Sequence, residues 1–162
     1  MAQPRQHHQP RSPARGGWKR GAQLQAIGRS RGGLSTKVHL VVDALGLPLA
    51  FDVTEGQRHD LIPAPALVTE VGSRKLLADK GYDADSFRAH LASIDCTPVI
   101  PSKRDRAQRI PYDRELYKAR AEVECTFNLL KQARRFATRY EKTLRNYTAV
   151  VAIGCAMLWL RL

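Results

Sequence analysis

The stretch LSTKVHLVVDALGLPLAFDVT, residues 34–54, decides the fold of this 162-residue chain. Its first part, LSTKVHLVV, is rich in β-branched residues and partly alternates between polar and apolar side chains, as strands do. Residues 43–46, Asp-Ala-Leu-Gly, are typical of a tight turn, and LPLAFDVT predicts a returning strand. Pro48 lies near the start of that strand, where a missing backbone donor is tolerated. The stretch therefore predicts an antiparallel hairpin.

The chain beyond the hairpin alternates between helical and strand patterns. The predicted elements are a helix over residues 61–71, a strand over 75–79, a helix over 84–93, a strand over 97–100, a long helix over 113–137 and a final helix from about Leu144. Asp60 is the expected N-cap of the first helix. Because strands joined by helical crossovers run parallel, the sequence predicts an α/β fold. Its mixed sheet would combine the antiparallel hairpin with parallel strands, between flanking helices.

Charge is distributed unevenly along the chain. The formal net charge is +12; residues 1–37 hold eight Lys and Arg and no acid. Residues 38–100 hold five basic and nine acidic residues, and residues 101–145 hold thirteen basic and six acidic ones. Two basic regions around an acidic middle are typical of a protein that grips phosphates around a carboxylate-bearing centre. Other basic proteins, such as ribosomal ones, share the charge but seldom the patterned acidic middle.

Several other functional classes are disfavoured. No run of 18 apolar residues exists, so residues 147–162 are expected to form a buried terminal helix rather than a membrane span. The N-terminus lacks the apolar segment of a signal peptide. The three cysteines show neither metal-binding nor disulfide spacing, which fits a reducing cytoplasm. The Gly-rich basic loop at residues 28–33, with Arg29 and Arg31, could approach a phosphate but does not match a P-loop.

Residues 1–26 are expected to form a disordered basic arm ahead of a single folded domain over residues 27–162. This arm has three prolines, three glycines, five Lys or Arg and no periodic apolar pattern.

One polar stripe runs along the expected long helix. Tyr117, Arg120, Glu124 and Lys131 have offsets of 0, 3, 7 and 14, which place them at roughly 0°, 300°, 340° and 320° around an α-helix. A carboxylate between two cations and a phenol suits a metal ion held beside a polyanion. The alternative is a solvated face with simple ion pairs.

A second carboxylate, Asp79, follows the apolar residues Leu76, Leu77 and Ala78. Functional side chains of open α/β sheets gather at the carboxyl ends of parallel strands. The alternative role of Asp79 is to cap the following turn, and Asp83 and Asp85 are expected to cap the next helix. Asp79 and Glu124 could share Mg²⁺ or Mn²⁺, which prefer oxygen ligands. Two such ions about 4 Å apart can activate a water or a 3′-hydroxyl for attack at phosphorus.

These patterns resemble the C-terminal catalytic part of bacterial insertion-sequence transposases of the DDE type, in the insertion sequence five group. The resemblance rests on GRSRGGLSTKVH (28–39), VDALGLPL (42–49), EGQRHD (55–60), ADKGYDAD (78–85), VIPSKR (99–104) and the spaced Tyr117, Arg120, Glu124 and Lys131, and covers about residues 26–162. It implies a ribonuclease-H-like fold in which Asp, Asp and Glu hold two metal ions for cutting transposon ends and joining the freed 3′-hydroxyl to target DNA.

The same resemblance implies roles for individual residues. Asp79 matches the second acid and Glu124 the third, so both are expected to be catalytic and to bind Mg²⁺ or Mn²⁺. Tyr117, Arg120 and Lys131 are expected to contact DNA, as are Arg29 and Arg31 of the Gly-rich loop. The implied partner is double-stranded DNA, as the terminal inverted repeats and the target, and no membrane is implied. The chain would also associate with a second copy of itself or with an upstream transposase fragment. The implied location is the bacterial cytoplasm, at the nucleoid.

The family's first aspartate, in contrast, has no match. It belongs to a first strand upstream of the Gly-rich loop, and residues 1–26 contain no acid. We therefore expect the first strand to be missing, with Asp52 as a remote stand-in. One hypothesis is that the chain is the downstream part of a frameshifted or truncated transposase. The alternatives are an inactive DNA-binding regulator of the full transposase and, ranked last, an unrelated Mg²⁺ nuclease of similar fold.

Overall fold

A hairpin of two long strands forms the centre of the structure. The computed structural model describes residues 3–10, 22–30 and 32–160, with side chains from residue 24 onward. Strand β3 (Gly33–Val42) pairs antiparallel with β4 (Pro48–Glu55). In the turn, Asp43 Oδ1 accepts hydrogen bonds from the Leu45 and Leu47 amides, both at 2.8 Å. The hairpin prediction is confirmed.

Strand β1 (Gln3–Pro10) pairs antiparallel with β3 over its whole length and also lies next to β5 (Lys75–Leu77). The expectations of a disordered arm and of a missing first strand are therefore wrong for these eight residues. The composition of a segment indicates whether it would fold by itself. A strand can form from almost any composition when a neighbouring strand supplies hydrogen-bond partners for its backbone, and the ten residues of β3 do so here. Pro4 and Pro10 lie near the two ends of β1, where proline interrupts pairing least. The sequence of β1, QPRQHHQP, contains no acid.

A parallel pair of strands forms a second, two-stranded sheet beside the four-stranded antiparallel sheet that contains β1, β3 and β4. A short strand, β2 (Gly28–Ser30), pairs antiparallel with the start of β3, so the Gly-rich loop is the turn of a small hairpin. Strand β5 pairs parallel with β6 (Thr97–Val99). Antiparallel and parallel pairs therefore coexist, as predicted for the α/β fold, but the described strands form two sheets rather than the one mixed sheet that the sequence predicts. Helix α1 (Ala64–Val71) precedes β5, and α2 (Asp85–Ser93) lies between β5 and β6.

The C-terminal region contains four helices: α3 (Arg114–Lys118), α4 (Ala121–Gln132), α5 (Arg134–Ala137) and α6 (Leu144–Trp159). The prediction of one helix over residues 113–137 is wrong. At the first break the Arg120 amide donates to the Tyr117 carbonyl at 3.0 Å. This bond joins residues that are three apart, whereas an α-helical bond joins residues that are four apart, so the backbone turns more tightly here. At the second break Ala133 is extended, with φ −76° and ψ 110°. α6 begins where the sequence predicts, with the Thr143 side chain as its N-cap.

Two hydrophobic layers cover the two faces of the sheet. Val41 and Ala50 pack with α1, α2 and β5 on one side. Val38, Leu40 and Val42 alternate to the other side and pack with α4, α5 and α6. In the part of the chain described, no helix combines the length and the apolar character that crossing a bilayer requires. The layers fix the carboxyl end of β5 relative to α4, which positions the candidate site.

Candidate active site

Asp79 lies where the sequence places it, directly beyond the carboxyl end of β5. The Ala78 amide still donates to the Val99 carbonyl of β6, so strand pairing ends one residue before Asp79. Asp79 Oδ1 accepts a hydrogen bond from the Gly81 amide at 2.7 Å and caps a 3₁₀ turn over Lys80–Tyr82. A Cβ at position 81 would lie 2.8 Å from Asp79 Oδ1, so glycine permits this close approach. The capping role is confirmed, and it uses only one of the two carboxylate oxygens.

Glu124 lies in the first turn of α4 and is held by Arg120. Arg120 Nη2 donates to Glu124 Oε1 at 2.8 Å, and the two side chains are 24% and 39% exposed. The Arg120 guanidinium also lies 5.7 Å from the centre of the Tyr117 ring. Three members of the stripe are thus together even though the helix breaks between Tyr117 and Glu124. Lys131, the fourth member, is half-buried and two turns further along α4, roughly 10 Å from Glu124 along the helix axis.

The charge of Asp79 connects the strand end to the helix junction. The pKa of Tyr117 is raised, first by burial and also by the Asp79 carboxylate, while Arg120 acts in the opposite direction. The pKa of Tyr82 is also raised, mainly by burial and then by the negative charges of Asp60 and Asp79. The Asp79 carboxylate therefore acts on the ionisation of Tyr117, whose ring adjoins Arg120.

Sequence reasoning missed an ion pair beside this region. Lys37 is buried on β3, and its Nζ donates to Asp60 Oδ1 at 2.9 Å and to the Arg58 carbonyl at 2.8 Å. Asp60 is therefore not the N-cap of α1, which begins at Ala64 after Pro63. A lysine in the middle of a β-branched strand was the available signal, since such a group is buried only when paired.

Asp83 is the second feature that was missed. The sequence predicts a helix cap here, but the N-cap of α2 is Ala84. The Asp83 side chain has no exposed surface, and Arg88 Nε and Arg106 Nε donate to its two oxygens at 2.8 Å each. Burial by itself would raise the pKa of Asp83, but hydrogen bonds from the Lys103 amide and from both arginines lower it to about 2. Asp83 thereby ties the loop after β6 to the start of α2.

The two loop arginines are not brought to the site by any described contact. Arg29 is exposed on β2 and forms no ion pair with the residues described. Arg31 lies outside the described residues.

The donor types at the site suit a hard cation, because carboxylate oxygens are the ligands that Mg²⁺ and Mn²⁺ prefer. Asp79 and Glu124 supply two such groups. Among the described residues, no group of three His, Cys, Asp or Glu side chains is placed to hold a metal ion. Asp52, the stand-in considered from the sequence, accepts a hydrogen bond from the Val53 amide through Oδ1 at 2.8 Å.

Comparison with known proteins decides the family. The model of a family described as "Transposase DDE domain" matches residues 2–160 of the chain. The chain belongs to the DDE transposase family. This match begins ahead of β1, so the transposase domain includes the segment that was expected to be an arm. The family resemblance and the ribonuclease-H-like α/β fold are thereby confirmed.

Two similar transposases support a role in insertion-sequence transposition. The chain is 43% identical over 130 residues to a Brucella ovis protein named "Putative transposase for insertion sequence element IS6501", covering 79% of this chain and all of that protein. It is 29% identical over 135 residues to a Burkholderia cepacia protein named "Putative transposase for insertion sequence element IS402". That match covers 76% of this chain and 62% of the Burkholderia protein, so the chain spans less than two thirds of this second relative.

Proposed function

We propose that the chain acts on DNA during transposition of an insertion sequence, with Asp79 and Glu124 in a centre for strand cleavage and strand transfer at the terminal inverted repeats. The observation that carries this proposal is the shared environment of Asp79 and Tyr117, because Tyr117 adjoins Arg120 and Arg120 holds Glu124. This chain of neighbours supports the proposal that the two carboxylates, from distant parts of the chain, serve one site.

Each side chain at this centre has a proposed task. Asp79 and Glu124 would hold Mg²⁺ or Mn²⁺, which would supply activation of a water or 3′-hydroxyl and stabilisation of the leaving oxygen. The Gly81 amide fixes the Asp79 carboxylate, and Arg120 fixes Glu124. Tyr117, Arg120 and Lys131 would contact the backbone of the transposon end, with Arg29 and Arg31 as further DNA contacts. The protein would meet this DNA at the nucleoid in the cytoplasm.

The composition of β1 limits the activity that we expect from this chain alone. β1 lies beside β3 and β5 as the first strand, the element on which the resemblance places the family's first aspartate, but it has no acid. With two of three ligands, metal binding and catalysis should be weak. We propose that an upstream fragment or a frameshifted fusion product supplies the missing aspartate, on a strand that takes the place of β1 beside β3 and β5. DNA immediately upstream that encodes no such strand would contradict this part of the proposal.

Nicking of a supercoiled plasmid tests the site. The plasmid would carry the terminal inverted repeats that flank the gene, with Mg²⁺ or Mn²⁺ present. We expect weak nicking by the chain, and we expect it to be abolished in Asp79→Asn and in Glu124→Gln, because each variant removes the negative charge that would bind the metal ion. Each variant keeps the hydrogen-bond acceptor of the original side chain, so the local structure should be preserved. Glu70→Gln, at an exposed position of α1, is the matched control and should nick like the original chain. Nicking that persists in Asp79→Asn would show that the site assignment is wrong.

The lack of an acidic residue in β1 also supports a second candidate function. A chain that binds transposon ends without a complete carboxylate set would act as an inhibitory regulator of the full transposase. The expected result for a regulator is salt-dependent DNA binding and inhibition of full-length transposase, with no nicking in either metal. Nicking that depends on Asp79 would exclude this function.

A further inference from the structure

A basic pocket opens beside the candidate active site. It has a volume of about 530 Å³ and lies between the loop that joins β6 to α3 and the 3₁₀ turn that follows Asp79. Four of the side chains that line it are cations, Lys80, Arg104, Arg109 and Arg114, and none is acidic. Four like charges around one cavity repel each other unless an anion occupies it.

The four cations are available to a ligand. All four residues are exposed, and none forms an ion pair with a residue in the described ranges. Neighbouring cations behave differently: Arg88 and Arg106 are committed to Asp83, and Lys118 to Glu115. The four pocket cations thus lack the acidic partners that the neighbouring cations have within the described ranges.

The walls of the pocket are fixed before any ligand arrives. Asp83 holds the loop through the Lys103 amide at 2.8 Å and through Arg106. The Ile110 amide donates to Ser102 Oγ at 2.9 Å, which closes the two ends of the loop on each other. A preformed pocket binds with less loss of conformational entropy than a flexible basic tail.

The pocket is continuous with the candidate active site. Lys80 directly follows Asp79 in the chain. Tyr112, another lining residue, packs edge-on against Tyr117, with ring centres 5.4 Å apart and an interplanar angle of 76°. A chain of phosphates that lies in the pocket would therefore pass along Tyr117 toward Asp79 and Glu124.

We propose that this pocket binds consecutive backbone phosphates of the DNA strand that enters the Asp79–Glu124 site. This assignment rests on the proposed function in one respect, that the polyanion is DNA. The pocket would act as a positioning surface that sets how far the strand reaches past the carboxylates, since Lys and Arg contacts to phosphate fix register without reading sequence.

Salt-dependent DNA binding tests the proposal. Fluorescence anisotropy would follow a labelled mixed-sequence duplex in EDTA, so that no metal ion contributes. We expect Arg104→Ala/Arg109→Ala to weaken binding by about tenfold or more and to lower the slope of log K against log salt by about two. The matched control is Arg74→Ala/Lys75→Ala, which removes two exposed cations at the opposite end of β5 and should change affinity less than about twofold.

The outcomes separate this proposal from the proposed function. If the original chain does not bind DNA at all, the DNA-binding function fails. If it binds and both double variants lose the same affinity and slope, the pocket assignment is overturned while the function stands. Hydrogen exchange of the original chain gives a second measurement that needs no variant: DNA should protect the segment from Ser102 to Arg114, and protection confined to other segments would overturn the proposal.

Inorganic phosphate provides the remaining arm of the test. We expect no saturable binding of inorganic phosphate in calorimetry at constant ionic strength. Saturable phosphate binding that is lost in Arg104→Ala/Arg109→Ala, with DNA affinity unchanged, would make the pocket a small-anion site and would overturn the assignment to DNA.

Discussion

At the scale of single residues, Asp83 has the most demanding environment. Its carboxylate has no exposed surface and is balanced by Arg88 and Arg106. Removing the charge takes from Arg88 its carboxylate and leaves Arg106 only the exposed Asp85, so Asp83→Asn should lower the free energy of unfolding by about 3 kcal/mol. Urea unfolding at neutral pH measures this. Asp85→Asn is the control, because the Asp85 side chain is 84% exposed and its ion pair should contribute less than about 1 kcal/mol.

The same residue predicts a dependence of stability on pH. The folded pKa of Asp83 is about 2, below its ordinary value of 3.8. A lowered folded pKa stabilises the fold above the unfolded value, and that contribution is lost as pH falls from about 4 toward 2. The difference in Tm between the original chain and Asp83→Asn should therefore be constant near neutral pH and shrink below about pH 4. A difference that stays constant down to pH 2 would contradict the assigned pKa.

Residues near each other in sequence were easier to interpret than those joined by tertiary contacts. Asp79 was predictable because its position depends only on the apolar strand before it and on Gly81 two residues later. The local sequence predicts a helix cap at Asp83. It does not reveal the ion pair, because the partner Arg106 is 23 residues away on a loop without periodic structure. Lys37 was missed for the same reason, since Asp60 lies 23 residues further along the chain.

At the scale of elements, the position of α4 decides where Glu124 lies. Thr126, two residues after Glu124, donates from Oγ1 to the Gly46 carbonyl in the β3–β4 turn. Gly46 has φ of 81°, and a Cβ there would lie 2.9 Å from Thr126 Oγ1. The hairpin that the sequence predicts thus also positions the helix that carries Glu124.

Alanine substitutions at two glycines test this contact. Gly46→Ala combines backbone strain with a clash against Thr126 and should destabilise the fold by more than about 1 kcal/mol. Gly72→Ala is the matched control, because Gly72 also has positive φ, of 64°, but nothing lies within 4 Å of an added Cβ. Thermal unfolding should show a larger loss of Tm for Gly46→Ala. Equal losses would mean that strain alone acts and that the turn does not hold α4.

Element boundaries show where periodicity is informative and where it is not. The polar stripe and the apolar face predict helix throughout residues 113–137, and most of those residues are helical. In the tight turn before α4 the hydrogen bonds span three residues instead of four. This difference is small, so the spacing of side chains around the helix axis is almost unchanged. Tyr117, Arg120 and Glu124 consequently stay together, although the continuous helix that suggested their grouping is absent.

At the scale of the whole molecule, charge and topology converge on one end of the sheet. The acidic middle of the chain supplies Asp79 and Lys80, and the basic region after residue 100 supplies Arg120 and the other three pocket cations. That convergence could be anticipated from the charge pattern. The place of β1 could not, because a Pro-, Gln- and His-rich segment forms a strand only through pairing with β3.

Metal-directed cleavage of the polypeptide tests the central claim, that Asp79 and Glu124 form one cation site. Fe²⁺ with ascorbate and peroxide produces hydroxyl radicals that cut the chain next to the bound ion, whether or not the protein is active on DNA. We expect cuts near both Asp79 and Glu124, suppressed by excess Mg²⁺ and absent in Asp79→Asn and in Glu124→Gln. Cuts near only one of the two residues, or cuts that persist in either variant, would contradict a shared site.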